Sequence, residues 1–135
     1  MTQNEKDLLL KDLCARLPYG VKVQSYDLDD DMETIETLRE IDSDGYVSTI
    51  ECDTLKHTLK PYLFPLSSMT EEQKQEYTYI VNYISSDDTE NWKEGEFIYV
   101  EQFTQLMHFY HINHLDYMGL IPKGLANDAT GLNIY

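Results

Sequence analysis

The sequence predicts one α+β domain over residues 1–135, a small antiparallel β-meander of about three strands packed with about three helices. Three observations carry that expectation. Apolar residues recur at helical spacing in segments 4–17, 71–84 and 98–114. Between the first two segments they alternate with polar ones, the period of half-buried strands. No internal repeat and no linker divides the chain. At 135 residues, 41% of them hydrophobic and 12% aromatic, the chain can bury roughly two-thirds of its unfolded surface without metal or disulfide staples.

Residues 4–17 read as an amphipathic helix with Leu10, Leu13, Cys14 and Leu17 on its apolar stripe, stopped by Pro18 and Gly20. Tyr19, Val21 and Val23 then alternate with Gly20, Lys22 and Gln24, as in a strand. Asp27 to Thr34 reads as an acidic turn. Segments 34–41 and 46–52 flank the turn residues Asp42, Ser43, Asp44 and Gly45, which predicts a β-hairpin completing the meander. Residues 60–69, with two prolines and large apolar side chains, read as a buried irregular crossing. Thr70, Glu71, Glu72 and Gln73 form a capping box, opening a helix that buries Tyr77, Ile80, Val81 and Ile84. A polar loop covers 85–95. The third helix runs from Ile98 to about His114, with Phe103, Leu106, Met107 and Tyr110 facing in. The remaining tail, rich in glycine and apolar residues, reads as irregular.

Ten lysines and arginines against 25 aspartates and glutamates give a net charge of −15. Phosphate backbones and anionic membranes are bound by cationic side chains, so direct nucleic-acid and membrane binding are both disfavoured. A cationic partner suits such a surface, including the basic groove of a nucleic-acid-binding protein, which an acidic protein can occupy as a mimic. The two cysteines, Cys14 and Cys52, are too few for a disulfide framework and read as small core residues, Cys52 beside Ile50 on a strand face. The N-terminus has neither the apolar run of a signal peptide nor that of an anchor, so a cytoplasmic location is expected.

The sharpest chemical pattern runs from Glu40 to Glu51. Glu40, Asp42, Asp44, Ser48 and Glu51 occupy oxygen-ligand slots of an EF-hand loop, with Gly45 at the sharp turn. The segment resembles the calcium loops of the calmodulin family. Glu40 departs from the aspartate usual at the first slot, and the β-branched flanks argue for the hairpin instead. A second pattern, His108, His111 and His114 followed by Asp116, places neighbouring histidines at i and i+3, but the three together sweep about 120° of a helix and do not converge on one ion. No nucleophile elbow, phosphate loop or HExxH motif occurs, so no cofactor and no enzymatic activity is expected. Eleven tyrosines supply area and hydroxyls suited to a binding face, although Tyr77 and Tyr110 fall on core stripes.

Three segments, Leu17 to Val23, Lys60 to Gln73 and His114 to Ala126, resemble a family of short uncharacterised proteins of gut Bacteroidales genomes and their phages, crAss-like phages included. Met118 stands where that family often carries arginine. The resemblance implies an accessory product of a mobile element in the bacterial cytoplasm and carries over no residue roles. From the start of its last motif, His114, Asp116, Tyr117, Lys123, Asn127 and Asp128 gather polar groups within fifteen residues and form the candidate binding cluster. Helix caps at Asp116 and Asp128, with turns at Gly119 and Gly124, explain the same residues structurally. The expected function is a non-enzymatic interaction protein acting on a host protein. The alternatives are a small protein that sequesters a nucleotide-like metabolite, or a calcium-binding module.

Overall fold

A computed structural model describes residues 2–27, 32–41, 47–48, 53–54, 60–85 and 92–135. It is an α+β fold with, among the described residues, three α-helices, α1 (Gln3–Arg16), α2 (Glu71–Ser85) and α3 (Trp92–Ile112). A mixed four-stranded sheet has the order β2 (Met32–Thr37), β1 (Lys22–Asp27), β6 (Lys60–Leu63), β7 (Asn127–Asp128), and a smaller sheet joins β3 (Glu40–Ile41), β4 (Val47–Ser48) and β5 (Asp53–Thr54).

Helix α1 opens on a capping box: the Thr2 hydroxyl accepts from the Glu5 N–H and the Glu5 carboxylate accepts from the Thr2 N–H. Its buried face is Leu9, Asp12, Leu13 and Arg16, not the stripe through Leu10, Cys14 and Leu17. Cys14 is exposed. A hydrophobicity pattern puts Asp12 and Arg16 outside; their mutual ion pair lets both go in, and the helix turns accordingly. Cys52 and Ile50 lie outside the described residues.

Residues 17–19 form a 3-10 turn closed by Gly20 in the left-handed region, so Tyr19 precedes the strand instead of belonging to it. Val21 and Val23 are fully buried, as their alternation predicts. The partner of β1 in the first antiparallel pair is β2, in register Lys22 with Thr37 through Asp27 with Met32. Thus Asp27 and Met32 to Thr34, expected in a turn, belong to strands. On either side of the expected turn, β3 and β4 pair antiparallel with Glu40 opposite Ser48, in the separate small sheet; residues 42–45 themselves lie outside the described residues.

The 60–69 crossing is not wholly irregular. Strand β6 lies inside the large sheet, antiparallel to β1 and parallel to β7. Proline weakens a sequence-based strand assignment because it offers no ladder N–H. Here Pro61 is buried opposite Val23, and the pairing with β7 begins at Tyr62. Helix α2 carries the predicted box, with the Thr70 N–H donating to the Gln73 amide oxygen (2.9 Å) and the Gln73 N–H to the Thr70 hydroxyl (3.2 Å). Ile80 is buried; Tyr77 and Val81 are half-buried. The side chain of Ile84 lies outside the described ones. Helix α3 begins at Trp92, inside the expected loop, and ends before His114. It turns Gln102, Phe109, Tyr110 and His111 inward, while Phe103 is 58% exposed.

Two cores result. Leu9, Leu13, Val21, Val23, Leu38 and Leu63 pack with Leu120, Leu125 and Ala126 of the tail, which is therefore interior structure. Ile80, Phe109, Tyr110 and Leu115 form the second, between α2, α3 and Phe64. Turns and the short strand β7 carry the tail back across the sheet, where the Ala129 N–H donates to the Leu63 carbonyl.

Candidate functional site

Arg16 joins the two cores. Its guanidinium is fully buried, donates Nε–H to Asp12 Oδ2 at 2.8 Å and Nη2–H to the Leu115 carbonyl at 2.6 Å, and lies 5.2 Å from the Tyr117 ring centre. A buried ion needs a counter-charge and hydrogen bonds, and this one has both. Asp12 Oδ1 and Arg16 Nη1 are nevertheless buried without a protein partner. Burial pushes the Asp12 carboxyl above its usual range against the pull of Arg16.

Of the candidate cluster, the structure brings His114, Asp116 and Tyr117 into the surroundings of Arg16. Tyr117 stacks on Tyr110 (centroids 4.9 Å) and its hydroxyl is 2.8 Å from His111 Nε2. Buried Asp116 accepts from the Leu120 and Ile121 N–H groups, at 2.8 and 2.9 Å, as a cap does. His114 has a positive φ of 53° and stacks on Tyr135 at 3.7 Å. Burial, with Arg16 nearby, lowers its imidazole to about 4 and also lowers that of His111. The other three members sit elsewhere. Lys123 is exposed, the Asn127 amide donates to the Gln24 side chain (2.7 Å), and Asp128 accepts from the Thr130 N–H and hydroxyl in a tight turn that lowers its carboxyl. Asn127 and Asp128 are bonded within the fold, and none of the six lines the groove described next.

The histidine triplet divides. His108 is exposed and pairs with the Tyr19 hydroxyl at 3.1 Å, His111 is buried, and His114 lies past the helix end. Among the described residues no three histidine, cysteine or acidic side chains are grouped to hold a metal. Of the calcium-loop candidates, Glu40 and Ser48 face each other on strands, whereas an EF-hand loop is framed by helices. Asp42, Asp44 and Glu51 lie outside the described residues.

A groove of about 700 Å³ lies between α2 and α3. Tyr19, Tyr79, Ile80, Phe109 and Ile112 give it apolar walls, with Glu76, Thr104, Gln105, His108 and Asn113 between them. Tyr79 and Ile112 are 68% and 54% exposed. Packing fixes the walls: Gln73 donates to the Asn113 side chain at 3.0 Å, Tyr77 packs on Phe109 and Tyr110, and Tyr19 leans on His108 and His111. Sequence reasoning did not single out this groove. Its signal was an excess of large apolar residues on α2 and α3, more than one buried stripe uses. Among the described residues no helix is long and apolar enough to cross a membrane. No family model, no curated protein and no solved structure matches the chain.

Proposed function

We propose that this protein is a non-enzymatic interaction protein, an accessory product of a mobile element that binds a cationic host protein in the bacterial cytoplasm. The observation that carries the reading is the α2–α3 groove, where large apolar side chains stay open to solvent in a chain of net charge −15. Exposed apolar area on a rigid frame marks a contact surface, and excess negative charge speeds encounter with a positive one. The buried Arg16–Asp12 pair, tied to the Leu115 carbonyl, supports the frame.

The test is capture from Bacteroidales lysate on the tagged protein, run beside an Ile112→Ser, Tyr79→Ser double variant. One stoichiometric protein, released by salt and missing from the variant, is the expected result. Capture that ignores the groove substitutions overturns the reading. Displacement of the captured protein by duplex DNA assigns the acids to nucleic-acid mimicry.

A further inference from the structure

We infer that the occupant of the α2–α3 groove is a basic amphipathic helix of the partner, which docks as a third helix; this rests on the interaction reading above. Helices α2 and α3 form its two long walls, with Tyr19 at an edge, and the lining of α3 runs from Thr104 to Ile112. At 1.5 Å per residue that is about 12 Å, two turns of facing surface. Two packed helices present ridges and grooves that a third helix matches, with anchors at i, i+3, i+4 and i+7. Tyr79 and Ile112 are the exposed apolar contacts for such anchors.

Charge selects the sign of the occupant. Along α2 and α3 the sequence has six glutamates (Glu71, Glu72, Glu76, Glu94, Glu96 and Glu101) and two lysines. Lys74 is already within 3.3 Å of Glu71. Glu76 lines the groove, and among the described residues no lysine or arginine does. Glu72 stands one helical turn before Glu76, and Glu101 one turn before Thr104 and Gln105, so both share the groove-facing sides of their helices. Because Gln73 meets Asn113 and Tyr77 meets Phe109, the helices run antiparallel and Glu101 falls level with the C-terminal end of α2. The apolar floor is therefore bracketed by carboxylates towards both ends, the complement of a helix with an apolar ridge flanked by lysine or arginine.

The experiment uses the full chain and a labelled peptide of about 18 residues, built from leucine and lysine in an amphipathic helical pattern. Controls are the same composition scrambled and a leucine–glutamate counterpart. Expected are salt-sensitive binding, a gain of helical circular dichroism on mixing, and at least about tenfold weaker binding to Ile112→Ser and to Glu76→Lys. Both sites are at the surface, and a thermal melt confirms that each variant is folded. No binding, equal binding of the scrambled peptide, or unchanged affinity in Ile112→Ser overturns the helix assignment. If the peptide fails while capture of the natural partner still depends on the groove, the helical occupant alone is wrong. If capture is also groove-independent, or denaturing the purified protein releases a bound small aromatic molecule, the interaction reading falls with it.

Discussion

At the scale of single residues, the decisive feature is that Arg16 and Asp12 lie inside. A buried pair is weakly stabilising as a pair, yet removing one partner strands the other charge. Arg16→Met is expected to destabilise the fold by about 3–5 kcal/mol, read as a lower urea midpoint with an unchanged slope. Adding Asp12→Leu should restore part of that loss, because no unpaired carboxylate remains. The imidazoles give a pH signature. His111 and His114 bind protons less readily folded than unfolded, so their contribution is full above about pH 6.5 and is lost as pH falls towards about 4, the folded value of His114. The raised carboxyl of Asp12 works oppositely: its contribution is present below its unfolded value of 3.8 and is lost as pH rises through its folded value. His114→Asn keeps a residue that tolerates a positive φ and removes the titrating ring. Its stability should fall less between pH 6.5 and 4 than that of the wild type, by about 2 kcal/mol after discounting the ring's partial exposure. Equal acid sensitivity in chemical denaturation would count against this assignment.

At the scale of elements, the C-terminal segment behaves as core. Leu120 and Leu125 are as buried as Leu9 and Leu13 of α1, and Ala129 is fully enclosed. Leu120→Ala is expected to cost about 2–5 kcal/mol, with Pro122→Ala, at an exposed position, near neutral. Gly119, immediately before Leu120, has a φ of +72° and open space where a Cβ would stand. Gly119→Ala should therefore cost about 1 kcal/mol through backbone strain alone, and Gly119→Asn less; comparison of thermal midpoints checks both. The elements most legible in sequence were those whose ends carry their own chemistry. The Thr70–Gln73 box marks the start of α2, and Pro18 and Gly20 close the first helical segment. Strand β6 was not legible, because local signals at Pro61 oppose what pairing with β1 and β7 imposes. Likewise Phe103, expected to face in, is exposed while Gln102 is buried, since periodicity reports polarity while the buried face of α3 is chosen by what packs against it.

At the scale of the whole molecule, a net charge of −15 acts on folding and binding in opposite directions. Like charges repel in the compact state, so added sodium chloride should raise the thermal midpoint while weakening any complex with a cationic partner. A midpoint that falls over the same salt range would show that specific ion pairs outweigh the net repulsion. The amino-acid sequence by itself determined the α+β class, three helical segments, the α2 cap, the buried alternation at Val21 and Val23, and the sign of the surface charge. Those properties follow from local periodicity, capping and composition. Tertiary structure alone decided that Arg16 and Asp12 turn inward, that the candidate residues His114, Asp116 and Tyr117 surround Arg16 while Lys123, Asn127 and Asp128 do not, and that Tyr79 and Ile112 remain open above a groove. Each of these depends on which distant segment supplies the facing atoms, and contacts between segments far apart in the chain leave no period in the sequence.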